Sequence, residues 1–392
     1  MKRILSLVLV LVMAFVVCSC GKKPTTETQN STESVKVEYK EDLKTGDFSL
    51  EAQDVCYEMG AGWNLGNTLD ACQIWGDISD APTVLEQETG WNNPKTTQEM
   101  IDFVVKSGFG AIRIPVTWYL QVEEKNGEYV IKDEWMARVK EVAEYCLKND
   151  VYTIVNMHHD DQFWLNISAD ENEWEQIKIK YSVLWKQIAT AFKDYNDKLI
   201  LEGLNEVTAT VGFDGCEGDE NGKCWWGHSE EVFHRLNQLY QIFVDTVRET
   251  GGNNTERYLM LPTYGAQWYD NQINNVNIPN DDGHIILDVH WYQPDAYNKD
   301  SNAWVFSAMR KFADEHGIGA VLGESGRVKS ASTYDKESYG KNVVGGAAEY
   351  GIPVFLWDDG GDVQILERDK LKWNCKEYID SVIENSKLMT KK

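Results

Sequence analysis

Eight short apolar segments alternate with helix-like patterns along most of this chain, and this alternation limits its fold more than any other feature. Most of the segments are near-continuous apolar runs, as is typical of parallel strands that are covered on both faces. They are AGWNLGN (61–67), GAIRIPVTW (110–118), VYTIVNMHHD (151–160), LILEGLNEV (199–207), RYLMLPTY (257–264), HIILDVHWY (284–292), GAVLGESG (319–326) and PVFLWDDG (353–360).

The stretches between these segments have the spacing of amphipathic helices, with acidic starts and Gly or Asn-Asp ends, as in DEWMARVKEVAEYCLKND. Only the connection after RYLMLPTY is too short and too rich in Asn to predict a helix. Eight such units predict an α/β fold, a single (β/α)8 TIM barrel over residues 48–392. The alternative is a doubly wound open sheet, but no Gly-rich phosphate loop follows the first segment.

The N-terminus has the features of an export signal. Lys2 and Arg3 precede an apolar run that ends in Val17-Cys18-Ser19-Cys20, which predicts a lipoprotein-type signal peptide over residues 1–19 and a lipidated Cys20. A plain signal peptide is the alternative. Residues 20–47 are polar and predict a flexible tether. We therefore expect an exported or cell-surface protein that meets the membrane only through an N-terminal lipid.

The net charge and the cysteine pattern limit the classes of ligand and metal that this chain is expected to bind. The net charge is −25, and loss of Lys2 and Arg3 makes it −27, so the chain would repel nucleic acid and a neutral partner is favoured. Simple solubility accounts for this charge equally well. No CxxC pair occurs, which disfavours a structural zinc site. Cys216 and Cys224 flank the loop CEGDENGKC and could form a disulfide after export. The loop could instead bind calcium, but it lacks the spacing of an EF-hand.

Polar residues end most of the predicted strands, and the active sites of (β/α)8 barrels lie at those ends. Only the fourth and seventh strands end in a glutamate, Glu206 and Glu324, and these strands face each other across a closed barrel. Paired carboxylates are the machinery of glycoside hydrolysis, one as acid and the other as nucleophile or base. The other polar ends are Asn67, Arg113, His158, His159, Asn205, His290, Tyr292, Trp357 and Asp358.

Neighbouring side chains fit the same chemistry. Arg113 could hold one carboxylate ionised, and Asn205 offers a donor and an acceptor to a sugar hydroxyl. Partial desolvation of Glu206 is expected to favour its neutral, proton-donating form. Ten of the fifteen tryptophans lie at or beyond predicted strand ends, which indicates a cleft that stacks on a neutral polysaccharide.

The motifs NLGNTLD, GFGAIRIPVTW, NMHHD, LEGLNEV, HWY, GES and WDDG resemble, in order and spacing, those of glycoside hydrolase family 5, most of all its subfamily 4 of bacterial endoglucanases and xyloglucanases. The resemblance implies a retaining mechanism with Glu206 as acid/base and Glu324 as nucleophile. It implies that the residues around the scissile bond are Arg113, His158, Asn205, His290, Tyr292 and Trp357. Two positions depart from the family pattern, Val207 where Pro is usual and Ser325 where an aromatic residue is frequent.

The main hypothesis is a monomeric, endo-acting β-1,4-glucanase that uses no metal or organic cofactor, with its two carboxyl groups about 5–5.5 Å apart. Xyloglucan, mixed-linkage glucan and mannan remain open as substrates. One rival is a non-catalytic glycan-binding lipoprotein. Another is a metal-dependent hydrolase that uses His158, His159 and Asp160, although the first strand offers no histidine.

Overall fold

The computed structural model of the protein describes residues 38–389, except residues 75, 77 and 226–228. Eight parallel strands close into a barrel in which each strand pairs with the next along the chain and the last pairs with the first. Barrel strands 1 to 8 are Ala61–Asn64, Ala111–Ile114, Tyr152–Asn156, Leu199–Glu202, Leu259–Pro262, Ile285–His290, Gly319–Ser325 and Val354–Leu356. The predicted (β/α)8 barrel is confirmed.

Helices connect the strands on the outside of the barrel. They are α1 (Ala52–Met59), α2 (Val84–Glu88), α3 (Gln98–Lys106), α4 (Asp133–Leu147), α5 (Glu171–Phe192), α6 (Glu230–Glu249), α7 (Asp270–Asn274), α8 (Lys299–His316), α9 (Thr333–Tyr339), α10 (Gly345–Ala348) and α11 (Lys376–Ser386), with a π-helical segment Gly340–Val344 between α9 and α10. The weak connection after barrel strand 5 holds only the five-residue α7.

Side-chain caps start several of these helices. The Thr97 side chain accepts a hydrogen bond from the backbone of Met100, and Asp170 does the same for Glu173. Gly317, in the left-handed conformation, ends α8 directly before barrel strand 7. These local signals place the strands at regular intervals, so that their carboxyl ends meet on one face of the barrel.

The barrel interior has an apolar layer below a polar one. At the bottom, α1 packs against a buried apolar cluster that the strands supply, Ala111, Tyr152, Ile154, Ile200, Tyr258, Met260, Ile286, Val321 and Phe355. Two residues further along their strands lie Arg113, Asn156, Glu202 and Asp288, which are all fully buried. Successive side chains of a strand alternate between faces, so the polar layer occupies the same interior at a higher level.

The predicted strands were too long at their carboxyl ends. The segment predicted over 199–207 pairs only over Leu199–Glu202, and Glu206 lies in the loop beyond. Likewise, the segment predicted over 353–360 pairs only over Val354–Leu356. Apolar residues continue past the paired backbone because the loops also pack into the core, as Leu204 and Val207 do.

The predicted tether was wrong over its described part, because the compact unit begins at Tyr39 and not at residue 48. The Tyr39 hydroxyl donates to Asp102 at 2.6 Å, and the backbone of Lys40 donates to the carbonyl of Lys148. Leu43 packs against the main core. The residues that make these contacts are few, and the polar composition of the segment does not indicate them. The predicted signal peptide and Cys20 lie outside the described residues.

Three small antiparallel sheets form in the loops: Val122–Lys125 with Glu128–Ile131, Ala209–Thr210 with Lys223–Cys224, and Leu366–Glu367 with Lys372–Trp373. The structure bonds Cys216 to Cys224, so the predicted disulfide closes the loop that carries the second of these sheets. Within the described part of the chain, no helix is both long and apolar enough to cross a bilayer.

Candidate active site

Glu324 lies near the carboxyl end of barrel strand 7 and is only 5% exposed. Its Oε1 accepts a hydrogen bond from the Arg113 guanidinium at 2.6 Å, and its Oε2 accepts one from the Tyr292 hydroxyl at 2.6 Å. Burial and the Glu324 charge raise the pKa of Tyr292 well above its usual value, so the hydroxyl stays protonated as a donor. Two donors therefore fix this carboxylate in one orientation.

Arg113 rises from barrel strand 2 through the centre of the polar layer. Its Nε and Nη2 donate to the two carboxylate oxygens of Glu202 at 2.6 and 2.7 Å, in a bidentate pair. The guanidinium also donates to Asn64 at 3.0 Å and to Asn205 at 3.1 Å. Burial would lower the pKa of Arg113, but the charges of Glu202 and Glu324 raise it well above its usual value. Arg113 is thus a permanent buried cation between two carboxylates.

Glu206 lies across the barrel mouth, with 29% of its side chain exposed. Its Oε1 is 2.9 Å from His290 Nδ1. One carboxylate oxygen of Glu206 lies within 4.8 Å of one of Glu324. The two side chains are therefore close enough for the retaining class of glycosidases, whose carboxyl groups lie about 5–5.5 Å apart.

His290 joins Glu206 to a third carboxylate. Its Nε2 is 3.2 Å from Asp288 Oδ2, and the other Asp288 oxygen accepts the backbone N–H of Gly323 at 2.8 Å. A Cβ at residue 323 would lie 2.2 Å from Asp288, which is why the motif GES needs its glycine. Burial would lower the pKa of His290, but Glu324 and Asp288 raise it well above its usual value.

This arrangement corrects the expectation that Glu206 is held neutral by desolvation. Burial by itself would raise the pKa of Glu206, but the hydrogen bond and the charge of His290 lower it overall. The contact between His290 Nδ1 and Glu206 therefore favours the protonated imidazole and the ionised carboxylate. The pair, rather than Glu206 alone, holds the proton.

Asp161 fixes the turn that carries Glu206. One of its oxygens, Oδ2, accepts the Glu206 backbone N–H at 2.9 Å and the Asn205 amide at 3.1 Å. Asn205 also accepts from Arg113, so both atoms of its amide already have protein partners. Its predicted contact with a sugar hydroxyl stays a prediction. Burial raises the pKa of Asp161 to about 6.

His158 forms the floor beside Glu324. Its ring is nearly parallel to that of Trp357, with centroids 5.7 Å apart, and its Nε2 is 3.9 Å from Glu324 Oε1. Burial, with repulsion from His159 and Arg113, lowers its pKa well below the usual value, so the ring is neutral. The Asn156 amide points at His158 Nδ1 from 3.1 Å. An amide N–H donates there, which places the ring proton on Nε2, toward Glu324.

Asn67 lies in the loop after barrel strand 1, with a positive φ of 54° that Asn tolerates. Its backbone N–H donates to Asp70 and its carbonyl accepts from Asn93. The preceding Gly66 lies directly against Trp357. The structure therefore brings Asn67 to the same end of the barrel as the other predicted site residues, close to Trp357.

Fewer tryptophans line the cleft than the sequence suggested. Trp118 and Trp174 are almost completely buried, and Trp91 and Trp291 are at most 8% exposed. They pack in apolar clusters and do not line the cleft. Trp357, Trp164, Trp225 and Trp268 are partly exposed, while Trp75 and Trp226 lie outside the described residues.

The alternative metal site of His158, His159 and Asp160 was wrong about Asp160, because Asp70 and not Asp160 lies beside the two histidines. The Asp160 oxygens accept from the Trp118 backbone and the Trp164 indole, each at 2.7 Å. Among the residues that the structure describes, three other groups bring possible ligand atoms within 4.8 Å: Asp70, His158 and His159; Glu202, Asp288 and His290; and Glu206, His290 and Glu324. The internal hydrogen bonds described above already engage the carboxylates in each group, so they account for the clustering.

The sequence analysis missed Glu202, Asp288 and Asp161, which hold the two glutamates in place. A signal for the first two was present. Glu202 shares a strand face with Ile200, and Asp288 precedes His290 by two residues, so both had to point into the barrel. No local pattern distinguishes Asp161 from its neighbour Asp160.

Comparison with known proteins gives one consistent result. The sequence model of the family "Cellulase (glycosyl hydrolase family 5)" matches residues 77–362. Endoglucanase A of Ruminococcus albus is 36% identical over 366 residues, which are 86% of this chain and 93% of that protein. Endoglucanase A of Clostridium longisporum is 34% identical over 86% of this chain, and the chain spans 66% of the length of that relative.

Solved structures agree. A GH5-4 broad specificity endoglucanase from Ruminococcus champanellensis with bound cellotriose has a TM-score of 0.77 and 32% identity, covering 85% of this chain and 98% of that one. A GH5 xyloglucan-specific endo-β-1,4-glucanase from a metagenomic library, in complex with cellotriose, has a TM-score of 0.74 and 33% identity, with 85% and 98% covered.

Proposed function

The chain belongs to glycosyl hydrolase family 5 and is most like its subfamily 4, and from this membership and its site we propose that it is a retaining endo-β-1,4-glucanase. The single observation that carries the mechanism is the opposition of two carboxylates within 4.8 Å, one tightly held and one bound to a histidine. The neighbours with bound cellotriose support a β-1,4-linked glucan as the substrate.

Glu324 is the nucleophile of this proposal. Arg113 and Tyr292 occupy both of its oxygens with donors, so the carboxylate is held in one position and needs no large reorganisation during attack. When its oxygen bonds to the anomeric carbon, the Tyr292 hydroxyl is free to turn toward the sugar. The result is a glycosyl ester on Glu324.

Glu206 is the acid/base. A bound sugar displaces water from its exposed part, which raises the pKa of Glu206 and returns the shared proton from His290 Nδ1 to the carboxylate. Glu206 then protonates the leaving glycosidic oxygen. After departure of the aglycone it takes a proton from the water that attacks the ester, and His290 receives that proton as the pair resets.

The two roles can be separated with paired variants. Glu206→Gln keeps the nucleophile, so a dinitrophenyl cellobioside, whose leaving group needs no proton, should release a burst of phenolate and then stall. Glu324→Gln should give no burst, with turnover reduced about 10⁴-fold or more and melting unchanged. A burst from Glu324→Gln, or steady turnover of the polymer by Glu206→Gln, contradicts the assignment.

Stereochemistry and product size test the reaction class. Proton NMR of the first product should show the β-anomer before mutarotation, because double displacement restores the configuration. Viscosity of a soluble β-glucan should fall faster than reducing ends appear, because internal bonds are cut. An initial α-anomer, or activity that EDTA dialysis removes, overturns the proposal. No hydrolysis with retained oligosaccharide binding supports the non-catalytic alternative instead.

Xyloglucan is the second candidate substrate, because the xyloglucan-specific neighbour matches this chain as well as the broad-specificity one does. Both polymers share the β-1,4-glucan backbone, and only the branches differ. A panel of xyloglucan, mixed-linkage glucan, carboxymethyl cellulose and mannan, compared by kcat/KM, ranks them. A preference for mannan above all the glucans contradicts the glucanase proposal.

We further propose that the protein is an exported monomer, anchored through a lipid on Cys20. The folded unit begins at Tyr39, whose partner Asp102 is on α3, and Lys40 bonds to Lys148 and Asp150 directly before barrel strand 3. These contacts lie at the bottom of the barrel, at the end opposite the mouth. Incorporation of radiolabelled palmitate should be lost in Cys20→Ala and kept in Cys18→Ala; labelling of Cys20→Ala contradicts the anchor.

A further inference from the structure

A second concave surface lies outside the cleft, between α9, the π-helical segment Gly340–Val344 and α11. We call it the tyrosine groove. Its volume is about 730 Å³, within the range of about 300–1,000 Å³ that is typical of ligand pockets. Tyr297 and Tyr334 form one wall, and carboxylate, amide and hydroxyl side chains of α9 and α11 form much of the rest.

The two tyrosines are more than half exposed to solvent and are not part of the hydrophobic core. Tyr297 is 58% exposed and Tyr334 is 69% exposed. Their rings are stacked on each other, with centroids 5.8 Å apart and an angle of 21° between the planes, and this exposed aromatic pair is called the platform below. Tyrosine combines an apolar ring face with a polar tip, which suits the C–H face and the hydroxyl rim of a sugar ring.

The platform is held in place by the loop that follows barrel strand 6. The Tyr297 backbone N–H donates to Asp295, and Arg327 donates to the carbonyl of Pro294 at 3.0 Å. Arg327 also pairs with Asp335 at 3.2 Å, and the Tyr297 hydroxyl hydrogen-bonds to the same carboxylate, which raises the pKa of Tyr297. A preorganised platform loses little side-chain entropy when a ligand binds.

The charges in the groove select against anionic ligands. Glu337, Glu377, Asp380 and Glu384 line it, against a single lysine, Lys341. Carboxylate and amide oxygens accept hydrogen bonds from hydroxyl groups, whereas they repel phosphates, sulfates and uronic acids. A neutral ligand with many hydroxyl groups and flat apolar faces fits both the rim and the platform.

We propose that the tyrosine groove is a second binding site for neutral β-glucan, separate from the catalytic cleft. The choice of polymer rests on the proposed function, whereas the groove and its chemistry do not. A polymer chain held at both places dissociates more slowly, because the second contact is intramolecular. The groove would therefore retain the enzyme on long chains without changing its chemistry on short ones.

The test uses full-length protein with Glu324→Gln, so that the polymer is not degraded during the measurement. Retardation in native gels that contain soluble xyloglucan or mixed-linkage glucan measures binding. Tyr297→Ala/Tyr334→Ala is expected to weaken the apparent affinity about tenfold, as loss of two stacking faces implies. Tyr334→Phe, which keeps the ring, should bind as the parent does.

Tyr39→Ala is the matched control, since Tyr39 is 42% exposed and lies at the bottom of the barrel. It should not change retardation. In the active background, the double variant should keep kcat/KM on cellotetraose and lose several-fold in rate on dilute polymer. Melting temperatures of all variants confirm that the fold is intact.

The outcomes separate this inference from the proposed function. If the wild type cuts β-glucan but the double variant is retarded like its parent, the groove proposal is wrong and the function stands. If the wild type cuts nothing, the gels still show whether the rings bind glucan. A change in molecular mass by light scattering in the double variant overturns the proposal, because the tyrosines would then form an interface between protein copies.

Discussion

Two buried arginines, one near each end of the barrel, show what separates the catalytic region from the rest of the molecule. Arg113 near the top and Arg257 near the bottom are both fully buried. Arg113 donates to the carboxylates of Glu202 and Glu324. Arg257 donates only to neutral oxygens, the side chain of Asn254 and the backbone carbonyls of Phe192, Tyr195, Asn196 and Leu199.

Their pKa values move in opposite directions for this reason. Burial and the nearby Arg248 lower the pKa of Arg257 to about 9, whereas the two carboxylates raise that of Arg113. Arg257 connects the end of α5 to the start of barrel strand 4. Its N–H groups hydrogen-bond to backbone carbonyls in this bend, where water would otherwise be needed as the donor. Arg113 instead holds the reacting carboxylate of Glu324 in position. The same residue type therefore stabilises the backbone at the bottom of the barrel and binds carboxylates at the top.

Of the two arginines, Arg113 should show the larger effect when it is replaced. Arg113→Met frees Glu324 from its donor and leaves Glu202 buried without a cation, so we expect kcat to fall about 10³-fold and the free energy of unfolding to fall by about 3–5 kcal/mol. Steady-state kinetics and urea unfolding measure the two effects. The double variant Arg113→Met/Glu202→Gln should recover much of the stability but not the activity. Recovery of both would contradict an electrostatic role for Arg113.

Arg257 should give the converse result. Arg257→Met leaves several buried oxygens without donors, so the free energy of unfolding should fall by about 4 kcal/mol, while kcat of the folded enzyme at 25 °C stays unchanged. Arg257→Lys, with fewer donors, should lie between the two. A specific loss of kcat in a variant that remains fully folded would erase the contrast with Arg113.

Asp288 controls the proton that His290 shares with Glu206. Its negative charge raises the pKa of His290, so Asp288→Asn should lower the pKa of the pair. The general acid then loses its proton at lower pH, and the alkaline limb of kcat/KM should shift down by about one pH unit, equivalent to about 1.4 kcal/mol. The pH profile on a soluble β-glucan measures this. An upward shift of the limb would mean that Asp288 does not act through His290.

Tyr292 offers the smallest and most closely matched test. Tyr292→Phe removes one hydrogen bond to the nucleophile and should reduce kcat about tenfold. Tyr195 makes the same tyrosine–glutamate contact at the bottom of the barrel, where its hydroxyl donates to Glu144 at 2.6 Å. Tyr195→Phe should therefore cost about 1 kcal/mol of stability with kcat unchanged. Equal kinetic effects in both variants would show that Tyr292 is only structural.

The position of each strand was predictable because its signal is local. Apolar runs such as LILE and IILDV lie between helix stops and polar ends, and the structure pairs them in the predicted order. The two glutamates were found for the same reason, since each follows an apolar run at the mouth of a barrel. The start at Tyr39 was missed because a few anchoring contacts leave almost no trace in composition.

By itself, the sequence determined the fold, the order of the strands and the residues at the mouth, because apolar periodicity and residue type act over a few positions. Only the tertiary structure decided how these residues titrate. The pKa of Glu206 is lowered by His290, which is 84 positions away. The pKa of His290 is raised by Glu324 and Asp288, which lie on two different strands. Electrostatic energy depends on distance in space and on burial, which closure of the barrel alone establishes.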